Sequence, residues 1–314
     1  MPFELGERLV VGIASSALFD LTESDGVFRA QGEEAYRLYQ AAHIDDTLEP
    51  GVAFPFVKRL LGLNDLSPED PIVEVIILSR NDPSTGLRVM RSIATHGLEI
   101  TRSVFTQGRA PFEYMRALDM SLFLSANSGD VRAAIRSGLP AGQVLESAML
   151  AHEPGEELRI AFDFDGVLAD DASERIYQQR GIDDFREHER KNQDEPLRPG
   201  PLSAFLRDIN RIQGVEAAHR RTDPAYEPRV RVAIVTARNA PAHERAIRTL
   251  EGWGVTVNDA FFLGGVDKGK VLDVMKPHIF FDDQRPHLDS TAAVAPSVHI
   301  PYGVANQEDE PSVE

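Results

Sequence analysis

Apolar residues along the chain form short β-branched runs that alternate with segments of helical spacing. The runs at residues 73–78 and 232–235 have the length and composition of buried parallel strands. Each run precedes a loop and a helix-like segment whose apolar positions are Leu87, Met90 and Ile93 in one case and Ala246, Ile247 and Leu250 in the other. Gly97 and Gly254 then stand where a helix end favours a left-handed residue. This alternation predicts an α/β protein with a parallel sheet and helices on both faces.

The two strand–helix units belong to a longer internal repeat. Residues 9–20 (LVVGIASSALFD) align with residues 159–170 (RIAFDFDGVLAD). Further matches follow in the same order with a single gap: Pro50-Gly51 with Pro199-Gly200, Arg80-Asn81 with Arg238-Asn239, Gly97 with Gly254, Phe105 with Phe262, and Gly108 with Gly265. Any two α/β units align loosely, but matches spread over most of each half favour a duplication. We predict halves at 1–150 and 151–304, a boundary at 152–157, and an acidic tail at 305–314.

Composition narrows the function classes. The 314 residues are 42% apolar and 26% charged, as in soluble globular proteins. A net charge of −17 disfavours nucleic-acid partners. The absence of cysteine excludes disulfides and thiol chemistry. No apolar run approaches the roughly 20 residues of a membrane helix, and the N-terminus lacks a signal-peptide pattern. We expect a cytoplasmic enzyme without a membrane partner, with a disordered end from residue 307.

Candidate chemistry begins in the second half, where a predicted strand ends in FDFDGVLAD. Asp163 and Asp165 therefore lie at the carboxyl end of a strand, where open α/β sheets bind ligands. Gly166 permits a sharp turn beside them. One carboxylate can attack phosphorus while the other donates and later removes a proton. Taken alone the pattern is weak, because calcium loops and ordinary turns contain it too.

Three later elements strengthen this interpretation. Thr236 ends the strand VAIVTAR and offers a hydroxyl to a phosphate oxygen. Lys268 opens a predicted helix and can hold both the phosphate and the nucleophile, although Lys270 is a competitor. The segment HIFFDDQ ends in Asp282 and Asp283, whose carboxylates suit Mg²⁺. Singly, the threonine and the acids are also common helix caps. The ordered set of four is specific.

This order resembles the four motifs of the haloacid-dehalogenase superfamily. The resemblance implies a Rossmann-like fold, a phosphoaspartyl intermediate on Asp163, and Mg²⁺ held by Asp163, the backbone carbonyl of Asp165, and an acid of the Asp282-Asp283 pair. The acid at position 165 favours phosphatases or mutases over dehalogenases and transport ATPases. In phosphoryl transfer these groups supply positioning and charge neutralisation.

The first half lacks these groups in the alignment. The sequence places Ile13 and Ser15 opposite Asp163 and Asp165, and it places Leu78, Pro111 and Ser125-Ala126 opposite Thr236, Lys268 and Asp282-Asp283. We predict a catalytically dead haloacid-dehalogenase-like half that serves packing, formation of a homo-oligomer, or ligand binding.

A small cap is predicted at about 171–229, between the first and second motifs of the catalytic half. Helical pieces are expected at 173–180 and 201–212. The second piece carries apolar residues at helical spacing that are more typical of a core than of substrate contacts: Leu202, Phe205, Leu206 and Ile209. A cap of this kind would exclude water and select the leaving group.

Nearly the whole chain resembles the cytosolic 5'-nucleotidase I family. The resemblance is carried by the segments at 53–61, 173–189, 200–213, 235–239, 277–284 and 299–305, from AFPFVKRLL to HIPYGVA. It implies Mg²⁺-dependent hydrolysis of nucleoside 5'-monophosphates, AMP notably. It also implies substrate contacts from Phe164, Thr236, Ala237, Arg238 and Lys268.

Vertebrate members of that family are activated by ADP, which suggests a regulatory nucleotide in the first half. Those members carry Gly and Ala where this chain has Phe164 and Gly166, so substrate preference stays open. The repetition of Arg238 as Arg80 argues equally for a structural loop role. Two alternatives also stay open: a phosphatase of another small phosphometabolite, and a non-enzymatic nucleotide sensor.

Overall fold

A computed structural model describes residues 4–147 and 155–309 of the chain. The first half of the predicted boundary, residues 152–154, and the end of the predicted tail, residues 310–314, lie outside the described residues. The strands are β1 Leu9–Ile13, β2 Val73–Ser79, β3 Arg102–Phe105, β4 Leu122–Ser125, β5 Ala141–Val144, β6 Leu158–Phe162, β7 Val230–Thr236, β8 Asp259–Phe262, β9 Ile279–Asp282 and β10 Ser297–His299.

Helices connect these strands in both halves. They are α1 Ser15–Leu18, α2 Thr22–Ala42, α3 Phe54–Gly62, α4 Pro83–Thr95, α5 Ser128–Arg136, α6 Ala172–Arg180, α7 Ile182–Lys191, α8 Ser203–Thr222, α9 His243–Trp253, α10 Lys268–Met275 and α11 Arg285–Thr291. Short 3-10 turns occur at Leu63–Leu66, Pro111–Tyr114, Arg116–Leu118 and Val304–Asp309. None of the helices within the described ranges is long and apolar enough to cross a membrane.

The ten strands within the described residues form one sheet, in the order β3-β2-β1-β4-β5-β10-β9-β6-β7-β8. Every neighbouring pair is parallel except β5 and β10, which meet antiparallel at the centre. Each half therefore has the same Rossmann-like order, and the predicted α/β class is confirmed. Because the halves meet antiparallel, the carboxyl ends of their strands lie at opposite edges of the sheet.

The two halves repeat each other in detailed contacts as well as in strand order. A glycine with positive φ interrupts the helical segment after the first strand in both halves, at Gly32 (φ 84) and at Gly181 (φ 85). Arg88 donates to Gln40 and to the Asp46 carbonyl, as Arg245 does to Glu189 and the Glu195 carbonyl. Such matched pairs favour the duplication that the sequence predicts.

Buried apolar side chains cover both faces of the sheet. The main cluster spans both halves on one face, and a smaller cluster lies on the other face of each half. Helix α8 belongs to the main cluster, because its Phe205, Leu206 and Ile209 are fully buried. Within the predicted cap at 171–229, α8 therefore packs into the core, and α6 and α7 form a helical hairpin whose Glu189 contacts Arg238 in the loop after β7.

The beginning of the predicted acidic tail also differs from expectation. The 3-10 turn Val304–Asp309 includes residues that we expected to be disordered. The Val304 N–H donates to Asp171 at 2.9 Å, and the Asn306 amide donates to the Asp283 carbonyl at 3.0 Å. These contacts order the segment against the second half, because they satisfy polar groups next to the strand ends.

Candidate active site

The predicted motif residues meet at one edge of the sheet. Asp163 directly follows β6, Thr236 is the last residue of β7, and Asp282 is the last residue of β9. Strands β9, β6 and β7 are neighbours, so these three positions are adjacent in space. Lys268 is the first residue of α10, as predicted, and it reaches the same edge. The arrangement places the candidate nucleophile in the middle of the cluster.

Lys268 links the first and fourth motifs. Its buried ammonium lies 2.9 Å from Asp163 Oδ2 and 2.6 Å from Asp282 Oδ2. Burial by itself would lower the pKa of Lys268, but the two carboxylates raise it above its ordinary value, so the group stays charged. Lys270 is exposed on the surface. Of the two lysines, only Lys268 contacts the candidate nucleophile.

The carboxyl groups of the site are crowded and desolvated. Burial raises the pKa of Asp163 to about 6, against the attraction of Lys268. Burial and the neighbouring carboxylates of Asp163 and Asp282 raise the pKa of Asp283 well above its usual range. Burial also opposes the charge of Asp282, yet Lys268 and His287 hold the pKa of Asp282 below its ordinary value. A bound cation would relieve this excess of buried negative charge.

The structure distinguishes the two acids of the fourth motif. Both oxygens of Asp282 are engaged: Oδ2 accepts from Lys268, and Oδ1 accepts from the Gln284 N–H at 2.8 Å. Asp283 Oδ1, by contrast, is buried and has no hydrogen-bond partner in the described parts of the chain. An orphaned carboxylate oxygen next to Asp163 fits a hard cation such as Mg²⁺.

Asp163, Asp282 and His287 also offer atoms within 4.8 Å of one another, which is close enough for a metal. That trio is the poorer candidate, because the ammonium of Lys268 already contacts both carboxylates. An alternative pair of ligands is Asp163 and Asp283, to which the haloacid-dehalogenase resemblance adds the backbone carbonyl of Asp165. The glycine next to that carbonyl matters too: a Cβ on Gly166 would lie 2.4 Å from Asp283 Oδ2.

Thr236, Ala237 and Lys268 remain suitable for a phosphate group. Thr236 Oγ1 accepts the Arg238 N–H at 3.3 Å, which leaves its hydroxyl proton available to a ligand. Ala237 is exposed directly after the strand, so its backbone is accessible.

The side chains of Phe164 and Arg238 are buried, which disfavours the direct side-chain contacts with substrate that the resemblance implies. Phe164 is fully buried with its ring stacked on Trp253, at a centroid distance of 6.4 Å. The Arg238 guanidinium lies 5.3 Å above the Phe164 ring and donates to Asp165 at 2.6 and 2.7 Å. Both side chains are part of the packed support beneath the site.

Glu189 is a site-proximal residue that the sequence analysis missed. It lies on α7, its side chain is fully buried, and it accepts hydrogen bonds from Arg238, Arg245 and Ser173. Helix α7 reads IDDFREHERK, which carries so few apolar residues that the sequence indicates a solvated surface. A signal was present in the repeat, because Gln40 occupies the matching place in the first half.

The first half differs from its predicted alignment by one residue. The Ala14 N–H donates to the Leu124 carbonyl, as the Asp163 N–H does to the Phe281 carbonyl, so Ala14 rather than Ile13 occupies the nucleophile position. Similarly, Ser79 rather than Leu78 ends the strand that matches the one ending at Thr236. The first half still has no carboxylate at the nucleophile position.

These features define a haloacid-dehalogenase-like α/β protein: a duplicated Rossmann-like sheet with an aspartate, threonine, lysine and paired acids at its strand ends. A family model described as 5'-nucleotidase matches residues 1–307. The chain belongs to the 5'-nucleotidase family.

Human cytosolic 5'-nucleotidase 1B is 33% identical to the chain over 287 residues, which cover 90% of this chain and 47% of the relative. The chain thus spans about half the length of that curated relative. No solved structure is significantly similar to the chain.

Proposed function

We propose that the chain is a Mg²⁺-dependent 5'-nucleotidase that hydrolyses nucleoside 5'-monophosphates to nucleoside and phosphate. The observation that carries the proposal is the buried cluster of Asp163, Lys268 and Asp283, in a chain of the 5'-nucleotidase family. Mg²⁺ held by Asp163, Asp283 and the Asp165 carbonyl would neutralise charge on the phosphate and on the nucleophile.

In the first step, an oxygen of Asp163 attacks phosphorus and the bond to the 5' oxygen breaks. Lys268 and the Thr236 hydroxyl hold the phosphate oxygens, and a proton from Asp165 goes to the leaving nucleoside oxygen. The products of this step are the free nucleoside and a phosphoaspartate on Asp163.

In the second step, water attacks the phosphorus of that phosphoaspartate. Asp165 accepts a proton from the water, and the bond to the Asp163 oxygen breaks. Phosphate leaves and the Asp163 carboxylate is restored. The same residue thus gives one proton and takes one back, so the cycle balances.

The helical hairpin of α6 and α7 is proposed as the cap over the reaction. It lies beside the strand ends and supplies buried contacts to the site through Glu189 and Ser173. A phosphatase acting on another small phosphometabolite has the same chemistry and is the second candidate. A nucleotide sensor without activity is the third, and the intact Asp163–Lys268 pair argues against it.

A panel of substrates tests these candidates. Phosphate release is measured from nucleoside monophosphates and sugar phosphates, with Mg²⁺ and with EDTA, for wild type, Asp163→Asn and the surface control Asp273→Asn. We expect Mg²⁺-dependent release from nucleotides that is absent only in Asp163→Asn. Release from other phosphates alone would replace the substrate class, and release that survives in Asp163→Asn would refute the assignment of the nucleophile.

We also propose that the protein is cytoplasmic and forms homo-oligomers. A further proposal is that the first half binds a regulatory nucleotide. Support comes from a cavity of about 670 Å³ in the first half, lined by apolar residues such as Leu38 and Ile44 and by polar residues such as Asp82 and Gln107. It lies where open α/β sheets bind ligands.

Binding of ADP to full-length Asp163→Asn is measured by calorimetry with and without a second change, Ala41→Trp, which fills this cavity from an exposed position. Loss of one binding event in the double variant is expected. Unchanged binding would exclude the cavity. Oligomeric state is read from the same samples by light scattering.

A further inference from the structure

The side chain of Asp165, at the edge of the site, accepts hydrogen bonds from an arginine. Arg238 Nε lies 2.6 Å from Asp165 Oδ2, and Arg238 Nη2 lies 2.7 Å from Asp165 Oδ1. This is the side-by-side arrangement in which a guanidinium fixes both the position and the plane of a carboxylate. The arginine side chain is only 2% exposed, so water does not compete for its donors.

The remaining nitrogen of the Arg238 guanidinium anchors it to the helical hairpin. Arg238 Nη1 donates to Glu189 Oε2 on α7 and to the Ala242 carbonyl at 3.2 Å. Glu189 Oε1 accepts from Arg245 on α9 at 2.9 Å and from Ser173 on α6 at 3.0 Å. A continuous chain of hydrogen bonds therefore runs from Asp165 to both helices of the hairpin.

The charged groups in this hydrogen-bond network stabilise one another in their ionised forms. Burial opposes the charge on Arg238, but Asp165 and Glu189 raise its pKa above the ordinary value. Burial likewise opposes the charge on Glu189, and the two arginines hold its pKa below the ordinary value. Removal of either member would leave the other buried with one ion pair fewer, because Glu189 would keep Arg245 and Arg238 would keep Asp165.

The first half provides an internal comparison of what the fold itself requires. There Asn81 occupies the place of Arg238, because its N–H donates to Ser79 Oγ as the Arg238 N–H does to Thr236 Oγ1. Gln40 occupies the place of Glu189, and Arg88 that of Arg245. The first half thus retains an arginine in the place of Arg245, but it has no counterpart of Arg238 or of the Glu189 carboxylate. The equivalent helix of the first half, α2, packs without them.

We propose that Arg238 and Glu189 are positioning residues that hold Asp165 as an oriented carboxylate for the second chemical step, in which it takes a proton from the attacking water. The inference rests on the proposed function. In the first step the leaving oxygen is part of the bound substrate, whereas in the second step the attacking water is free and must be oriented by Asp165, which the two hydrogen bonds from Arg238 hold in place. Loss of the arrangement should therefore slow the second step more than the first.

The predicted signature is accumulation of the phosphoaspartate. Rapid mixing of enzyme with a nucleoside monophosphate separates the rate of the first nucleoside release from the steady-state rate. In Arg238→Lys, which keeps the charge but loses the fork, we expect the ratio of first-turnover rate to steady-state rate to rise about 10- to 100-fold. Acid-quenched samples should contain phosphorylated protein in proportion. Glu189→Gln should give a smaller rise, because the Arg88–Gln40 contact of the first half indicates that glutamine can still pair with Arg245.

Arg80→Lys is the matched control. Arg80 follows the equivalent strand in the first half and pairs with Asp130, far from the acids of the second half. In Arg80→Lys the ratio of first-turnover rate to steady-state rate should equal that of wild type. Equal slowing of both steps in Arg238→Lys, without extra phosphoenzyme, would assign the arginine a purely structural role and overturn the proposal. If wild type released no nucleoside, the proposed function itself would fail, and the two failures are thereby distinguished.

Discussion

Replacement of Asp163 by asparagine should make the metal-free protein more stable, although it removes the candidate nucleophile. Asp163 is 3% exposed and lies among the carboxylates of Asp282 and Asp283, with Lys268 as the one ammonium in direct contact among the described residues. Asparagine has the same shape without the charge. The substitution therefore removes the cost of ionising a buried group while packing is conserved.

The size of the effect follows from the shifted pKa of Asp163. Folding raises that pKa from 3.8 to about 6, and each pKa unit corresponds to about 1.4 kcal/mol. Because the folded-state pKa is the higher one, ionisation opposes folding, and stability is lost as the pH rises from about 4 to about 6. Above that window the cost is about 3 kcal/mol, or about 5 °C in unfolding temperature at roughly 2 cal/mol/K per residue.

Thermal unfolding in EDTA measures this difference directly. At pH 8 Asp163→Asn should unfold about 5 °C above wild type, and at pH 5 the gain should shrink to about half, because wild-type Asp163 is then largely protonated when folded. Asp273→Asn, at an exposed ion pair with Lys276, should change the unfolding temperature by less than about 1 °C. An equal or lower unfolding temperature for Asp163→Asn at pH 8 would refute the reasoning that the buried charge is destabilising.

Three further changes probe the same site. Mg²⁺ at one hundred times its Kd should stabilise wild type by about 2.7 kcal/mol and so raise its unfolding temperature. Asp283→Asn should abolish this rise, whereas Asp273→Asn should retain it. An intact rise in Asp283→Asn would reject Asp283 as a ligand. Lys268→Met should lower kcat about 100- to 1000-fold, while Lys270→Met stays within about twofold; similar losses would contradict the distinct roles. Gly166→Ala should cost about 1–3 kcal/mol in urea unfolding, because φ is +71° and the added Cβ meets Asp283; unchanged stability would argue against this close approach.

The parts of the site that the sequence predicted are those that depend on local pattern. Asp163, Thr236 and Asp282 each end an apolar run, and strand ends can be recognised from such runs without knowledge of tertiary contacts. The sheet class follows for the same reason. Lys268 was identified at a helix start, and its choice over Lys270 needed the structure, since only burial and distance separate two lysines two positions apart.

Features that depend on packing between distant segments were not predictable in the same way. Helix α7 has an almost wholly polar sequence, yet it buries Glu189 because two arginines from the loop after β7 and from α9 converge on it. Phe164 lies between two candidate catalytic residues, and its burial against Trp253 depends on where α9 ends. In both cases the partners are more than 40 residues away, and periodicity carries no information about them.

The one-residue shift between the copies explains why the first half cannot be regarded as the second half with its acids replaced. The same backbone hydrogen bonds enclose the turn after the first strand in both copies, from Ala14 to Leu18 and from Asp163 to Leu168. The first turn contains one residue fewer and forms the short helix α1, whereas the second passes through Gly166 at φ +71°. Because Asp165 and Gly166 lie within the longer turn, the geometry of the candidate site depends on the backbone of that turn as well as on its side chains.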